Sequence, residues 1–434
     1  MKITVFGTGY VGIVTGTCLA ELGNEVLCID VDKNKIKNLK NGIIPIYEPG
    51  LEELVKRNLK EKRLNFSLDA KKGIKFGEII FNAVGTPQSK NGSAELKYVK
   101  EVAKIFGKFV DSYKIFVNKS TVPVGTTTIC KNIIKKELKS RNIQYEFDVV
   151  SNPEFLREGS AIKDTFTPDR IIIGTETKKA RESMEKLYRP IIRAESPLIN
   201  MDIKSAEITK YAANTFLATK ISFINEIANF CEKAGGNVQE IAKGIGLDGR
   251  IGSRFLHAGI GYGGACFPKD VKALIKTGKD FKHEFKIIKS ADEVNDTQKM
   301  VLFKKLKEKI SNLANKKIAI WGLSFKPKTD DIREAPSLTI IKSLLNEGAI
   351  VQAFDPIAIS NMKKVFPNIT YADTAYETLE DADALLICTE WDEFRSINLE
   401  KLKKLMKTNL VIDGRNIYSK KSMLKLGLKY INIG

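Results

Sequence analysis

Short apolar runs alternate with helical patterns through the first part of the chain. Lys2–Phe6 is a run of apolar and β-branched residues that predicts a buried strand, and a helical pattern follows it to about Leu22. The same periodicities predict strands at 25–29, 78–84, 114–118, 147–150 and 170–173, and helices that include 99–110 and 126–140. Because strands alternate with helices, we expect a doubly wound α/β domain.

A much longer helical pattern follows this domain. Apolar residues recur at helical spacing over positions 203–231, and neither glycine nor proline interrupts them before Gly235. The pattern predicts one long helix that can join two domains and carry a dimer interface. Lys210 and Asn214 stand four residues apart on it, so we expect their side chains to point the same way.

The alternation of strands and helices seen in the first domain recurs after about residue 316. Strands are predicted at 317–321, 350–354, 384–388 and 410–412, with a helix over 337–345. We therefore expect an α/β fold of two Rossmann-like doubly wound domains joined by a long central helix. The expected boundaries are 1–198 for the first domain, 199–300 for a central helical dimerisation domain and 301–434 for the second Rossmann-like domain.

The formal charge of +19 is a feature that some nucleic-acid-binding proteins share. Here the lysines are spread over nearly every amphipathic segment and form no single stripe with interleaved aromatic residues. This distribution favours solvated helix faces over a nucleic-acid interface. The basic field would still attract anionic small substrates.

Cysteine spacing and hydropathy indicate the cellular compartment and whether a metal is bound. The six cysteines are scattered, with no CxxC pair and no metal-ligand spacing, which predicts reduced thiols and no metal. No apolar run approaches the ~20 residues of a membrane span, and the N-terminal pattern is that of a strand and not of a signal peptide. We therefore expect a cytoplasmic protein.

A glycine-rich turn, Gly-Thr-Gly-Tyr-Val-Gly over 7–12, follows the first predicted strand at once. In this context Gly7 allows a tight turn, Gly9 lets a pyrophosphate approach the backbone, and Gly12 lets the helix pack closely on the strand. Asp30 stands at the end of the second strand, 18 residues after Gly12. A carboxylate there accepts ribose hydroxyls and repels a 2′-phosphate, so the pattern predicts NAD and not NADP.

Polar residues also follow the later strands of this domain. Thr86, Thr121, Glu154 and Glu158 each stand shortly after a predicted strand. Ligands of doubly wound sheets bind outside the carboxyl ends of the strands, so these four side chains are expected to ring one crevice. The two glutamates share a face if their segment is helical, and ordinary surface carboxylates are the alternative.

The second Rossmann-like half lacks the Gly-x-Gly-x-x-Gly pattern. A longer basic loop that begins at Gly322 takes its place, which indicates that this half has lost dinucleotide binding. Lys326, Arg333 and Arg415 stand at its strand ends, and basic residues in these positions favour a different phosphate-bearing ligand.

One cysteine, Cys266, follows the glycine-rich stretch 259–265, and the segment 259–270 reads Gly-Ile-Gly-Tyr-Gly-Gly-Ala-Cys-Phe-Pro-Lys-Asp. A helix that begins near Phe267 would place the thiol at a helix N-terminus, which favours the thiolate. A buried core cysteine is the commoner role, but the glycines and the Lys269-Asp270 pair favour a nucleophile. Beside a nicotinamide, a thiol can add to an aldehyde, and the adduct can lose a hydride to give a thioester.

These motifs together resemble the UDP-glucose/GDP-mannose dehydrogenase family over essentially the whole chain, and most of all its UDP-glucose branch. The resemblance rests on 7–12 with Asp30, 84–87, 119–126, 152–159, Lys210 with Asn214, 261–270 and 322–333. It implies an NAD-dependent four-electron oxidation in which the C6 hydroxyl of UDP-glucose becomes an aldehyde, a thiohemiacetal, a thioester and finally the carboxylate of UDP-glucuronate. Roles in nucleotide-sugar metabolism and polysaccharide biosynthesis are implied with it.

The resemblance also implies catalytic roles for individual residues. Cys266 would be the covalent nucleophile, and Lys210 with Asn214 beside it would stabilise oxyanions. Glu154 would act as base in thioester hydrolysis. A water and its protons would be organised by Asp270 and Thr121.

The binding residues that the resemblance implies fall into two sets. NAD would contact Gly7, Gly9, Val11, Gly12, Asp30, Lys35, Thr86, Thr121, Glu158, Lys269 and Arg333. The nucleotide sugar would contact Glu154, Phe155, Leu156, Arg157, Glu158, Lys163, Lys210, Asn214, Phe255, Leu256, His257, Ala258, Gly259, Gly263, Lys326 and Arg415. Arg250 would reach the substrate of a neighbouring subunit, which implies a homodimer or a larger assembly.

Three alternatives stay open at this point. The same chemistry could act on GDP-mannose or a UDP-N-acetylhexosamine, and Ala265 and His257 depart from the usual pattern where sugar preference is concerned. A two-electron dehydrogenase would leave Cys266 as a structural thiol. A nucleic-acid-binding protein would use the charge and would not turn over NAD.

Overall fold

The computed structural model describes residues 1–89, 92–193 and 197–434. These form two compact units. The first comprises Met1–Ala213 with Lys279–Phe281, and the second comprises Asn214–Gly278 with Lys282–Gly434. The division into three domains at 198 and 300 stays a prediction.

An eight-stranded sheet forms the centre of the first unit. Its strands are β1 (Lys2–Phe6), β2 (Glu25–Ile29), β3 (Leu64–Ser67), β4 (Ile79–Asn82), β5 (Lys114–Asn118), β6 (Phe147–Ser151), β7 (Ile171–Thr175) and β8 (Leu198–Met201). They lie in the order β3-β2-β1-β4-β5-β6-β7-β8, and only β6 and β7 pair antiparallel. The first six positions have the order of a dinucleotide-binding sheet, so the predicted fold is confirmed.

Helices connect these strands and bury both faces of the sheet. They are α1 (Tyr10–Glu21), α2 (Lys33–Lys40), α3 (Leu51–Lys60), α4 (Ala70–Phe76), α5 (Lys97–Phe109), α6 (Thr126–Ser140), α7 (Ala161–Phe166) and α8 (Lys178–Tyr188), with a 3₁₀ turn at Arg189–Ile191. Neighbouring strand residues enter separate cores: Ile115 and Val117 of β5 pack in one cluster, and Phe116 packs in another. Alternation along a strand explains the two cores, since successive side chains point to opposite faces.

The predicted long helix is confirmed as α9 (Ile203–Ala234), which begins in the first unit and ends in the second. Asp202 caps its first turn, because its carboxylate accepts hydrogen bonds from the Ser205 amide at 2.9 Å and the Ser205 hydroxyl at 2.5 Å. The helix ends before Gly235, which adopts a left-handed φ of +81°. Glu207 of α9 in turn caps α6, accepting from the amides of Gly125 at 2.5 Å and Thr127 at 2.8 Å.

The second unit repeats the same strand order in a smaller sheet. Its strands are β9 (Lys317–Trp321), β10 (Ile350–Phe354), β11 (Thr370–Tyr371), β12 (Ala384–Ile387), β13 (Leu410–Asp413) and β14 (Lys429–Ile431). The order is β11-β10-β9-β12-β13-β14, and all pairs are parallel. The second Rossmann-like half is therefore confirmed as well.

The remaining helices lie in the second half of the chain. They are α10 (Val238–Gly246), α11 (Phe267–Asp280), α12 (Lys286–Gln298), α13 (Val301–Lys309), α14 (Pro336–Asn346), α15 (Ile359–Val365), α16 (Asp392–Arg395), α17 (Leu399–Leu405) and α18 (Lys420–Lys425), with a 3₁₀ turn at Glu377–Leu379. Across the described ranges, none of the helices combines the length and the apolar character needed to cross a membrane.

Candidate active site

The glycine-rich turn between β1 and α1 is shaped to receive an anion. Gly7 has a left-handed φ of +91°, and a Cβ on Gly12 would lie 1.9 Å from the Gly7 carbonyl oxygen. A Cβ on Gly9 would meet nothing within 4 Å, so the turn is open on that side. Gly9 is also the N-cap of α1 and offers no side-chain oxygen to the first-turn amides. These amides, followed by the half-buried Val11, are therefore available to a pyrophosphate.

Asp30 lies at the end of β2, beside this turn. Its Oδ2 accepts hydrogen bonds from the Thr8 amide at 2.8 Å and the Thr8 hydroxyl at 2.6 Å, and Lys35 Nζ lies 3.3 Å away. Burial opposes ionisation, but these hydrogen bonds, the Asp32 amide and Lys35 hold the pKa of Asp30 below its ordinary value. The carboxylate that would receive the ribose hydroxyls is thus ionised and oriented.

The loops after β4 and β5 are joined by hydrogen bonds. The Thr86 hydroxyl donates to the Thr121 carbonyl at 3.0 Å, and the Ser120 hydroxyl donates to the Val84 carbonyl at 2.7 Å. Thr86 is buried and Thr121 is half-buried. The structure thereby places these two predicted site residues together at the carboxyl ends of neighbouring strands.

Glu154 and Lys210 form a buried ion pair, with Lys210 Nζ 3.1 Å from Glu154 Oε1. The other oxygen of Glu154 accepts the Leu156 amide at 2.6 Å, and Lys210 Nζ lies 5.2 Å from the centre of the Phe155 ring. The segment from 152 to 160 contains no helix, so Glu154 and Glu158 do not share a helix face. Glu158 is half-buried and lies close enough to Tyr10, the first residue of α1, to act on its hydroxyl electrostatically.

Lys119 is the first residue of the motif 119–126, and no role was predicted for it. Its Nζ donates to Asn152 Oδ1 at 3.1 Å, and the Tyr188 hydroxyl donates to the same oxygen at 2.6 Å. Burial lowers the pKa of Lys119 to about 8, Glu154 opposes this shift, and Lys210 adds to it. The charge of Lys119 therefore interacts with both members of the Glu154–Lys210 pair. A lysine directly after an apolar strand is the pattern that could have indicated it.

Cys266 is the exposed cysteine of the chain, and the other five are buried. The predicted helix is confirmed, because α11 begins at Phe267 and the Asp270 amide donates to the Cys266 carbonyl at 2.8 Å. Burial raises the pKa of the Cys28 and Cys388 thiols to about 12, which keeps them protonated. Exposure and the helix N-terminus distinguish Cys266 as the candidate nucleophile.

Asp270 lies one helical turn after Cys266 and is 1% exposed. Its Oδ2 accepts a hydrogen bond from Asn214 Nδ2 at 2.6 Å, and its Oδ1 lies 2.6 Å from Lys269 Nζ. The structure thus brings together four predicted site residues of the second unit. Asn214 and Lys269 satisfy both oxygens of a carboxylate that would otherwise be costly to bury.

Three buried amide side chains hold the glycine-rich stretch before Cys266, and sequence reasoning missed all three. Asn225 Oδ1 accepts the Gly259 amide at 2.8 Å, and Gln298 Nε2 donates to the Gly259 carbonyl at 2.6 Å. Asn295 pairs with both backbone groups of Tyr262, at 2.8 and 3.2 Å. We call Asn225, Asn295 and Gln298 the amide clamp. Amides on helices carry no sequence pattern that indicates such a role.

Arg415 lies against the same stretch. Its Nε donates to the Cys388 carbonyl at 2.7 Å, and a Cβ on Gly259 would lie 3.3 Å from its Nη1. Gly263 is more crowded, since a Cβ there would lie 2.4 Å from the Glu334 carbonyl oxygen. A larger side chain at Gly263 would displace that backbone, whereas one at Gly259 would require its neighbours, Arg415 among them, to shift slightly.

Lys326 and Arg333 lie in the loop after β9. Lys326 Nζ lies 5.5 Å from the centre of the Phe325 ring, and a Cβ on Gly264 would lie 2.8 Å from the same ring. Arg333 is exposed and pairs with Asp331 at 2.7 Å. The Arg333 carbonyl accepts a hydrogen bond from the Gly264 amide at 2.8 Å, so this loop lies against the glycine-rich stretch.

The end of β10 explains why the second half does not repeat the dinucleotide site. Asp355 corresponds to Asp30 in strand order, but it is 1% exposed. Its Oδ2 accepts from the Leu323 amide at 2.7 Å and from Trp391 Nε1 at 3.1 Å, and its Oδ1 accepts two further amides. A carboxylate enclosed in this way cannot receive ribose hydroxyls, which agrees with the predicted loss of dinucleotide binding.

The side chains of several predicted binding residues lie outside the clusters described above. Arg157 pairs with Asp164 at the edge of α7, and Lys163 is exposed on that helix. Arg250 is 90% exposed and pairs with Asp248 at 2.6 Å. Of the run from Phe255 to Ala258, Leu256 and Ala258 pack in the core, Phe255 is half-buried and His257 is exposed. At Leu256 and Ala258 only backbone groups are left for a ligand.

Comparisons with known proteins agree along the whole chain. Residues 1–192 match the NAD binding domain of the UDP-glucose/GDP-mannose dehydrogenase family, residues 204–297 its central domain and residues 319–420 its UDP binding domain. The chain belongs to this family. NAD is therefore its cofactor, and its substrate is a UDP-sugar.

Relatives are similar over full length. The chain is 49% identical to the UDP-glucose 6-dehydrogenase TuaD of Bacillus subtilis (strain 168), covering 100% of this chain and 93% of the relative. It is 46% identical to a UDP-glucose 6-dehydrogenase of Rhizobium meliloti (strain 1021), covering 100% and 99%. A solved UDP-glucose dehydrogenase from the archaeon Pyrobaculum islandicum superposes with a TM-score of 0.91 at 35% identity, covering 100% and 97%.

The family's cofactor fits the residues that the structure describes. The open turn at Gly9 and the ionised Asp30 accommodate the pyrophosphate and the ribose of NAD. Within the described part of the chain, no cluster of three or more His, Cys, Asp or Glu side chains could hold a metal ion.

Proposed function

We propose that the protein oxidises UDP-glucose to UDP-glucuronate and reduces two NAD per sugar. The observation that carries this proposal is the exposed Cys266 at the N-terminus of α11, one turn before the buried Asp270. Oxidation beyond an aldehyde needs an adduct from which a second hydride can leave, and a thiol supplies it. Full-length relatives at 49%, 47% and 46% identity are UDP-glucose 6-dehydrogenases, which favours UDP-glucose over the other sugar nucleotides.

Oxidation takes place at the C6 carbon of the sugar. When bound, NAD supplies a nicotinamide that accepts a hydride in each of the two oxidations. Cys266 Sγ attacks the aldehyde carbon, and hydride loss from the thiohemiacetal leaves a thioester. Lys210 and Asn214 donate hydrogen bonds to the C6 oxygen as negative charge develops on it. Buried donors stabilise such charge strongly, because little water competes with them.

Hydrolysis completes the reaction. Glu154 takes a proton from the attacking water, while Thr121 and Asp270 hold that water in place. The thioester carbon–sulfur bond breaks, Cys266 is restored and the carboxylate is released. In sum, the alcohol, two NAD⁺ and one water give the carboxylate, two NADH and three protons.

Counting NADH against sugar tests this function. A panel of UDP- and GDP-sugars would be oxidised to completion, and we expect UDP-glucose to yield two NADH per molecule. One NADH per sugar would support a two-electron dehydrogenase, and turnover restricted to GDP-mannose or a UDP-N-acetylhexosamine would support the same chemistry on another substrate. Steep salt-dependent nucleic-acid binding without NAD turnover would support the third alternative.

Cys266→Ala tests the nucleophile in the same assay. We expect this variant to form no UDP-glucuronate, whereas the matched variant Cys130→Ala, at a buried thiol, retains acid formation. Undiminished UDP-glucuronate from Cys266→Ala would refute the assignment.

The protein is proposed to act as a homodimer through α9. Phe216, Phe223 and Phe230 are 66%, 48% and 65% exposed, and they are spaced seven residues apart. This spacing puts them on one face of the helix, as at the seam of paired helices. Exposed aromatic stripes of this kind are typical of subunit interfaces, and Arg250 would then reach the partner's substrate.

The proposed chemistry also bears on compartment and pathway. A nucleophilic thiol requires reducing conditions, so we place the protein in the cytoplasm. UDP-glucuronate carries an activated sugar acid, which is a donor for polysaccharide biosynthesis.

A further inference from the structure

A buried carboxylate outside the proposed catalytic set joins two segments of the first unit. Glu48 lies between α2 and α3 and is 4% exposed. Its Oε2 accepts hydrogen bonds from the Tyr10 hydroxyl and from the Gly159 amide, the latter at 2.6 Å. Its Oε1 accepts the Ala161 amide at 2.7 Å. Three neutral donors thus replace the water that this carboxylate lost on burial.

The two segments that Glu48 joins both bear residues assigned to NAD, and the loop before Gly159 also bears residues assigned to the nucleotide sugar. Tyr10 is the first residue of α1 and follows Gly9, where the pyrophosphate would bind. Gly159 directly follows Glu158, and it adopts a left-handed φ of +79° that turns the chain into α7. Because one side chain accepts hydrogen bonds from both segments, Glu48 fixes the spacing between them.

We propose that Glu48 is a positioning residue for the cofactor, holding the loop that bears Glu158 against the first residue of α1 so that NAD meets both segments in one arrangement. The proposal deepens the proposed function and rests only on its NAD-binding step. A pair of apolar side chains could pack these segments together, but it would not orient the Gly159 and Ala161 amides. Burial and the bond to Glu48 also raise the pKa of Tyr10, so its hydroxyl remains a donor.

NAD and UDP affinities of the full chain distinguish positioning from general stability. Glu48→Gln keeps the size of the side chain but replaces one acceptor oxygen with a donor. We expect it to weaken NAD binding about ten-fold or more in titration calorimetry, and Tyr10→Phe to weaken it several-fold. UDP without an attached sugar is the control, because the UDP binding domain is matched by 319–420, and its affinity should stay within two-fold in both variants.

Matched controls and a double variant complete the experiment. Glu52→Gln and Tyr98→Phe change exposed residues and should leave NAD affinity unchanged. Because Tyr10 and Glu48 share one hydrogen bond, the double variant should lose less NAD affinity than the product of the single losses.

Three results would overturn the proposal. They are NAD affinities within two-fold of the unchanged protein, parallel losses of NAD and UDP affinity, and losses that multiply independently in the double variant. Failure to oxidise UDP-glucose would refute the proposed function instead, and the NAD titrations would remain interpretable.

Discussion

Glu154 and Lys210 illustrate how a buried ion pair can hold two reacting groups in place. Both side chains are at most 6% exposed, and each depends on the other to compensate its lost hydration. The pair orients the carboxylate that we assign to hydrolysis and the ammonium that we assign to the oxyanion. A change at either residue should therefore affect catalysis and stability together.

Glu154→Gln should separate hydrolysis from oxidation. Loss of a general base slows a step by about 10²- to 10⁴-fold, so we expect the thioester to accumulate after the hydrides have left. Rapid-quench kinetics would show a burst of NADH, and intact mass would show the acyl adduct on Cys266. Glu146→Gln, at an exposed carboxylate, is the control. A variant that turns over at the original rate without an adduct would contradict the assignment of Glu154.

Lys119 should make the stability of the protein depend on alkaline pH. Its folded pKa of about 8 lies below the ordinary value of 10.5, so between these values the unfolded chain binds more protons. The free energy of unfolding should then rise with pH from about 8 to 10, relative to Lys119→Met, which lacks this titration. Urea midpoints of the two proteins at pH 7 and pH 10 measure the difference. A constant difference over this range would show that the lysine titrates normally in the fold.

Among single residues, the sequence indicated the chemistry-bearing groups better than their partners. Cys266 and Asp30 were predicted because each stands at a fixed distance from glycines and from a strand or helix end. Lys119 and Glu48 received no role, because a lysine after a strand or a single carboxylate does not show from the sequence which distant groups it contacts. Their partners, Asn152 and Gly159, lie 33 and 111 residues away.

In the second unit, α12 holds the glycine-rich stretch through side-chain hydrogen bonds. The stretch has little regular structure, and the amide clamp supplies the backbone hydrogen bonds that a strand or helix would have supplied. α12 contributes two of the three amides, so the position of the stretch depends on this helix. Cys266 follows the stretch directly.

Asn295→Ala should loosen the approach to Cys266. Removal of this amide leaves both buried backbone groups of Tyr262 without their partner, which costs about 1–3 kcal/mol of stability per unsatisfied group. We expect a lower urea midpoint and a higher KM for UDP-glucose. Asn409→Ala, at a half-buried amide far from the stretch in sequence, is the control. Unchanged midpoint and KM would mean that the stretch does not need this support.

At the level of elements, prediction succeeded where patterns were long. The strands at 114–118, 317–321 and 350–354 and the helix at 126–140 have the predicted bounds, because five or more periodic residues define them. β11 and β14 have two and three residues, too few to show any periodicity. Glu154 and Glu158 lie in a non-helical segment, where Pro153 interrupts regular structure.

The second sheet repeats the order of the first six strands of the first sheet, but the corresponding strand ends make different contacts. The end of β2 offers Asp30 to a ligand, whereas the end of β10 encloses Asp355 in hydrogen bonds. The same fold position is thus assigned to a cofactor in one half and supports the structure of a loop in the other. Function within such a fold is decided by the site and not by the architecture.

Phe223→Glu tests the assembly of the whole molecule. A carboxylate in the middle of the aromatic stripe would have to be buried in the proposed dimer, so we expect the variant to be a monomer at micromolar concentration. Light scattering after size-exclusion chromatography measures the mass. Phe281→Glu changes an exposed phenylalanine outside the stripe and should preserve the dimer. A monomeric starting protein, or a dimeric Phe223→Glu variant, would contradict the proposed interface.

The sequence alone determined the succession of strands and helices, the NAD-type turn and the candidate thiol. Each depends on residues close together in the chain, where periodicity and glycine spacing are visible. Only the tertiary structure decided that Lys119 joins Glu154 and Lys210, that amides hold the glycine-rich stretch, and that Glu48 ties α1 to the loop after Glu158. These contacts join residues far apart in sequence, and a buried polar group finds its partner through packing, because an unpaired one is too costly to retain.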